Sequence, residues 1–169
     1  WMAQRQANGN WSEPINLGDS INTSEDEMAP FIHMDNRTLY FASQGWIGMG
    51  GLDLFKARKK AENRWTSPQN LGYPINTHND EFGLIVNAAG SRAFYASDRN
   101  KENNRDIYSF TLHEEARPVA SSYMRGKVYD AKTKQPLKAR FELTSIDSGR
   151  VIMESYSDSQ TGSFHVCIP

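Results

Sequence analysis

Apolar residues along this chain occur in short runs rich in Tyr, Phe, Ile and Leu, and Gly, Asn, Asp and Pro separate the runs. No segment keeps the 3.6-residue spacing of an amphipathic helix, whereas short apolar runs bounded by turn residues are typical of β-strands. The pattern therefore predicts an all-β protein. The first predicted strands cover residues 28–34, 38–43, 52–58 and 65–71.

The first two thirds of the chain contain an internal repeat. The segment WSEPINLGDSINTSEDE, which begins at Trp11, recurs as WTSPQNLGYPINTHNDE from Trp65, at an offset of 54 residues (65 minus 11). Roughly four strands fit each unit, and four-stranded units repeated every forty to fifty residues or so are typical of β-propeller blades. Two units are fewer than a closed propeller contains, so the pattern predicts a partial β-propeller with a repeat of about 54 residues.

The same offset, applied towards the N-terminus, aligns Trp1 with Phe55 and Arg5 with Lys59. The chain thus begins with residues that resemble the end of an earlier repeat. We expect that Trp1 is a cut edge and that the natural polypeptide continues upstream of it.

The sequence pattern changes after the second repeat. Residues 113–122 mix charge, Pro and small side chains, as interdomain linkers do. From residue 123 onward, apolar positions alternate with polar ones around Phe141 and again around Val166, which predicts half-buried strands of a small antiparallel sandwich. The predicted organisation is a β-propeller fragment over 1–112 with repeats at 11–64 and 65–112, a linker over 113–122, and the start of a β-sandwich over 123–169.

Charge and cysteine content exclude several classes of function. Lys and Arg total 19 against 20 Asp and Glu, so no excess of positive charge is present to neutralise a nucleic acid backbone. No apolar run reaches the length that spans a bilayer, so we predict no direct membrane insertion. The single cysteine, Cys167, excludes an internal disulfide framework and a multi-thiolate zinc site.

Catalytic and metal-binding patterns are absent from the sequence. The four histidines lack metal-ligand spacing, no G-x-S-x-G motif occurs, and the glycine cluster at 48–51 lacks the Lys-Ser/Thr pair of a phosphate-binding loop. We predict no enzyme activity, no cofactor and no metal. Asp26-Glu27 recurs as Asp80-Glu81, which favours a turn-forming device needed in every repeat, with repeated cation binding as the alternative.

Loops that differ between the repeats are the candidates for partner binding, because a shared scaffold holds them while leaving their sequences free to vary. The apolar side chains near residues 46–49 either pack against a neighbouring blade or form a recognition surface. The candidate partner-binding residues are Gln44, Trp46, Ile47, Met49, Asn100 and Arg105.

Several motifs carry a family resemblance. Besides the repeated Trp-containing segment, LYFAS at 39–43, GMGGLDLFKA at 48–57 and YASDR at 95–99 resemble the propeller repeats of the TolB type, most closely those of OmpA-family envelope proteins of Bacteroidetes. The first repeat departs from that pattern at Gln44, where the second has Asp98. G-x-V-x-D from Gly126 and T-G-x-F from Thr161 resemble a carboxypeptidase regulatory-like, transthyretin-like sandwich, which normally continues for several more strands.

The resemblance implies a noncatalytic interaction and scaffold module of a larger envelope protein in the periplasm, associated with the outer membrane and, in some relatives, with type IX secretion. It implies protein partners in the cell envelope, and peptidoglycan contact only through an OmpA-like domain outside these residues. The alternative is the propeller accessory domain of a prolyl-oligopeptidase-like serine hydrolase whose catalytic domain also lies outside them.

Overall fold

The protein is all-β, as the apolar pattern predicts. The computed structural model describes residues 1–6, 9–61, 64–100 and 104–168. It divides into a first unit, Trp1–Ala120, and a second unit, Ser121–Pro169. All the sheets in the described residues are antiparallel, and none of them is closed.

The first repeat forms a sheet in which each strand pairs with the next along the chain. We call this the first sheet; its strands are β1 (Glu27–Ile32), β2 (Thr38–Ser43), β3 (Asp53–Ala61), β4 (Arg64–Trp65) and β5 (Gln69–Asn70). The short strands β4 and β5 both pair with β3, so together they form one interrupted outer strand. The interruption contains Pro68, which has no N–H to donate to a neighbouring strand.

The second repeat forms a sheet of three strands, the second sheet, with β6 (Glu81–Val86), β7 (Arg92–Ser97) and β8 (Asp106–Thr111) in that order. One face of the first sheet packs against it. Tyr40 and Leu54 from the first sheet and Leu84 and Tyr95 from the second belong to this core, which is nearly closed to solvent. The opposite face of the first sheet carries a second core around Phe41, in which Trp65 is buried.

Both sheets contain the same β-bulge. The register of β1 on β2 shifts between Met28 and Phe31, and that of β6 on β7 shifts between Phe82 and Ile85. A residue with positive φ lies at each shift, Ala29 at 49° and Gly83 at 68°. Glycine adopts this conformation without the penalty that a Cβ brings, so the backbone of the first sheet is strained where the second is not.

The predicted linker, residues 113–122, is divided by the boundary between the units. Most of it belongs to the first unit, where Ala116 is fully buried and its carbonyl accepts a 2.6 Å hydrogen bond from the Tyr40 hydroxyl. The Lys56 ammonium donates to the Glu115 carbonyl, and the Arg58 guanidinium donates to the Arg117 carbonyl at 2.8 Å. We call residues 113–119 the return segment, since the chain runs through them from the end of β8 to the first sheet, where these bonds attach it.

A buried carboxylate anchors the end of the return segment. Asp35 accepts hydrogen bonds from the Thr38 hydroxyl at 2.6 Å, from the N–H groups of Arg37 and Thr38, and from the Val119 N–H at 3.0 Å. Burial alone would raise the pKa of Asp35, but these hydrogen bonds to the ionised form outweigh it and hold the pKa below its ordinary value.

The second unit consists of two hairpin-sized sheets. Strands β10 (Arg140–Thr144) and β11 (Val151–Tyr156) form one pair, and β9 (Ser122–Lys127) and β12 (Ser163–Ile168) form the other. The rings of Phe141 and Phe164 lie 4.8 Å apart between the pairs. The apolar alternation around Phe141 and Val166 thus identified two of the four strands, β10 and β12.

Candidate interaction site

The candidate site lies at the edge of the first unit where β2 and β7 end and β1 and β6 begin. A glutamate stands at the start of β1 and β6, and a serine at the end of β2 and β7, directly opposite it. In the first sheet, Glu27 accepts hydrogen bonds from the Thr23 N–H at 2.8 Å, the Thr23 hydroxyl at 2.7 Å and the Ser43 hydroxyl at 2.8 Å. The carboxylate therefore ties the incoming loop to the strand pair.

The second sheet repeats this arrangement with a fully buried glutamate. Glu81 accepts from the Thr77 N–H at 2.8 Å, the Thr77 hydroxyl at 2.7 Å and the Ser97 hydroxyl at 2.8 Å. The Arg99 guanidinium approaches the same carboxylate at 3.3 Å and also donates to the carbonyls of Pro74 and Ile75. The Asp-Glu pairs thus include one residue, the glutamate, that fixes the loop in each repeat.

Trp46 makes in the first sheet one of the hydrogen bonds that Arg99 makes in the second. Its indole N–H donates to the Ile21 carbonyl at 3.1 Å, and Ile21 is the counterpart of Ile75 in the repeat. The Trp46 ring packs against the core around Phe41 and is only partly exposed. The structure thus places Trp46 against its own sheet. Gly45 stands where the second repeat has Arg99, and the adjacent Trp46 supplies a donor to the carbonyl at the equivalent position.

The glycine-rich loop between β2 and β3 rests directly on the loop before β6. A Cβ on Gly50 would lie 2.5 Å from the His78 backbone carbon, so only glycine permits this approach. Asp53 holds the loop from within by accepting from the N–H groups of Met49 and Gly50 at 2.9 and 3.0 Å. The backbone of this glycine-rich loop is therefore fixed from both sides.

The loops of the two repeats are connected by carboxylates. Asp80 accepts from the Leu52 N–H at 2.9 Å, and the Asp80 N–H donates to the Asp98 carboxylate at 3.0 Å. Leu52 belongs to the first repeat and Asp98 to the second, so the loops of both repeats form one continuous rim. Within the described parts of the chain, no group of three or more His, Cys, Asp or Glu side chains is arranged to hold a metal ion.

The candidate residues on this rim differ in how they are presented. Ile47 is 94% exposed, and Met49 and Gln44 are also exposed, although the backbone beneath them is fixed. Asn100 donates to the Tyr108 hydroxyl at 2.6 Å, and the Arg105 guanidinium lies 4.8 Å from the centre of the Phe82 ring. Asn100 and Arg105 therefore each contact the second sheet itself. Residues 101–103, which lie between them in the predicted loop, are outside the described residues.

Sequence reasoning missed the buried serines at the ends of β2 and β7, which complete the glutamate arrangement. The signal was available, because Ser43 and Ser97 stand at the same repeat position as the final residue of FAS and YAS. The indole bond of Trp46 had no such signal, since it occurs in only one repeat.

No family model, no curated protein and no solved structure matches this chain. Among the described residues, no helix is long and apolar enough to cross a membrane.

Proposed function

We propose that this chain is a noncatalytic protein-interaction and scaffold module of a cell-envelope protein, built from propeller-type repeats followed by a carboxypeptidase regulatory-like sandwich. The two sheets of the first unit serve as neighbouring blades in this proposal. Its location in the periplasm, beside the outer membrane, rests on the resemblance to OmpA-family envelope proteins.

The main support for the proposal is that a loop of the rim has a fixed backbone and yet exposes apolar side chains. Exposed apolar side chains on a rigid loop form a contact surface that loses little conformational entropy on binding. Ile47 and Met49 have this property, because Asp53 and the close approach of Gly50 hold the loop that presents them.

The glutamates of the rim support a scaffold role in preference to catalysis. Glu27 and Glu81 each use both carboxylate oxygens to accept hydrogen bonds from their own repeat. A catalytic carboxylate must reach a substrate, whereas these carboxylates hold loops. The presence of this glutamate in both repeats also favours a structural role, because the loop of every repeat must be held in place.

The test is affinity purification from the envelope fraction, comparing the wild-type chain with the double variant Ile47→Ser/Met49→Ser. Ile146→Ser is the matched control, since Ile146 is a fully exposed isoleucine in the second unit. We expect the double variant to lose a captured protein that the control retains, with an unchanged melting temperature. Equal capture by all three proteins would contradict the proposal that this loop binds the partner.

A further inference from the structure

The glycine-rich loop between β2 and β3 lies beside two carboxylates of the second repeat. A Cβ on Gly51 would lie 2.3 Å from Asp80 Oδ1, so the Asp80 carboxylate is in direct contact with the loop. The Asp80 N–H donates to Asp98 Oδ1 at 3.0 Å, which places the Asp98 carboxylate at the same junction of the two repeats. Both aspartates are partly exposed. This part of the rim therefore presents two carboxylates beside the exposed apolar side chains of Ile47 and Met49.

Neither of these carboxylates is paired with a cation within the described residues. Each uses Oδ1 to accept from a backbone N–H, that of Leu52 for Asp80 and that of Asp80 for Asp98. None of the salt bridges in the described part of the chain involves either side chain. Arg99 is next to Asp98 in the sequence, but its guanidinium approaches Glu81 instead. Two neighbouring carboxylates without a counter-charge attract a cationic group.

A third carboxylate, that of Asp53, lies beneath the same loop. Asp53 is 1% exposed, and its Oδ2 accepts from the N–H groups of Met49 and Gly50. Its other oxygen, Oδ1, is buried without a hydrogen-bond partner, and no salt bridge among the described residues includes Asp53. Solvent ions screen a buried charge less than an exposed one, so Asp53 adds to the negative potential over the loop.

The pair of exposed carboxylates occurs in only one of the two repeats. Asp80 has Asp26 as its counterpart, whereas the counterpart of Asp98 is the uncharged Gln44. A group that fixes the loop of every repeat is expected in both of them, as the glutamate at the start of β1 and β6 is. The charge of Asp98 is therefore particular to this junction, where the two repeats and the exposed apolar side chains meet.

We propose that the partner of this loop is a basic protein segment, which pairs an arginine or lysine with Asp80 and Asp98 and places apolar side chains against Ile47 and Met49. The inference rests on the proposed interaction function and specifies the chemistry of the partner. Charged groups at the edge of a contact steer the encounter and select the partner, while apolar side chains at its centre exclude water. A small cation alone would leave Ile47 and Met49 exposed, whereas a basic protein segment covers them as well.

Selection from a library of random peptides displayed on phage tests the proposal. The wild-type chain is the target, and the double variant Ile47→Ser/Met49→Ser is the counter-target, so that peptides which bind only the wild type are those that use the loop. We expect these peptides to be enriched in Arg or Lys adjacent to Leu, Ile, Phe or Met, relative to the unselected library.

The double variant Asp80→Asn/Asp98→Asn removes both charges but keeps the backbone contacts, because an amide oxygen still accepts from the Leu52 and Asp80 N–H groups. We expect it to bind a selected synthetic peptide about tenfold more weakly in fluorescence anisotropy, as for the loss of two partly exposed ion pairs. The difference should largely disappear in about 1 M salt, which screens exposed charges beyond about 3 Å. The matched control is Glu13→Gln/Asp147→Asn, since both carboxylates are exposed and lie outside the rim loops.

The outcomes separate this inference from the proposed function on which it rests. Loop-dependent peptides without enrichment of Arg or Lys would overturn the inference and leave the binding role of the loop intact. Equal affinity of the wild type, the Asp80→Asn/Asp98→Asn variant and the control at low salt would overturn it in the same way. A selection in which every bound peptide also binds the Ile47→Ser/Met49→Ser variant would overturn both, because the loop is then not the binding surface.

Discussion

Glu81 allows the energetic contribution of the repeated glutamate to be measured. Glu81→Gln preserves the shape of the side chain but replaces one acceptor oxygen with a donor. The carboxylate faces the Thr77 N–H on one oxygen and two hydroxyls and a guanidinium on the other. Whichever way the amide is oriented, a donor then points at a donor.

The expected cost follows from the number and kind of contacts. A hydrogen bond to a charged group contributes about 1.5–3 kcal/mol, and a buried donor left without an acceptor costs about 1–3 kcal/mol. We expect Glu81→Gln to lower the free energy of unfolding of the first unit by about 3 kcal/mol. Glu27→Gln is the matched control and should cost about half as much, because Glu27 is half-buried and, among the described residues, it accepts only from Thr23 and Ser43, with no guanidinium in the place of Arg99.

Urea unfolding followed by tryptophan fluorescence measures this difference. All four tryptophans, Trp1, Trp11, Trp46 and Trp65, lie in the first unit, so the signal reports on that unit alone. With an m value of about 2 kcal/mol/M, the midpoint should fall by about 1.5 M for Glu81→Gln. Equal shifts for both variants, or a loss below about 0.5 kcal/mol at Glu81, would refute the assignment of Glu81 as the stronger anchor.

Three further predictions use the same unfolding assay. Asp35→Asn should cost about 2–4 kcal/mol at pH 7, because the carboxylate accepts four hydrogen bonds. Its folded pKa is lowered, so this contribution is fully present above the ordinary carboxyl pKa of about 3.9 and is lost as the pH falls below it; a wild-type advantage that persists in stronger acid would contradict this. Trp46→Ala should cost about 3 kcal/mol through lost packing and the lost Ile21 bond, and a stability equal to wild type would show that the ring is not anchored. Ala29→Gly should be neutral or stabilising by up to about 1 kcal/mol while Gly83→Ala is destabilising, and the opposite order would contradict the strain assigned to the bulge.

The repeat made much of the first unit predictable from sequence. The strand predicted over 38–43 is β2 with the same bounds, and the strand predicted over 28–34 overlaps β1, which ends at Ile32. It ends there because a turn follows, in which the Asn36 N–H donates to the His33 carbonyl and Asn36 has a positive φ. The predicted strand was too long because Met34 continues the apolar pattern into this turn, where the backbone is no longer extended.

Contacts that occur in only one of the two repeats, or outside them, could not be predicted from the sequence. The composition of residues 113–122 is that of a linker, yet Ala116 is buried and three carbonyls of the return segment accept hydrogen bonds from side chains of the first sheet. Backbone groups carry no sequence signature, so these contacts follow from the tertiary arrangement alone. Trp46 is a comparable case at the candidate site, because its indole N–H donates to a backbone carbonyl, that of Ile21.

The return segment has a mechanical consequence. A pulling force applied at Ala120 reaches the first unit through the Asp35–Val119 bond and the carbonyl contacts of Arg117, Ala116 and Glu115, all of which end on the first sheet. Tension would therefore load β2 and β3 before it reached β8, although β8 is nearer along the chain. The second sheet would bear this force only after the hydrogen bonds of the return segment had broken.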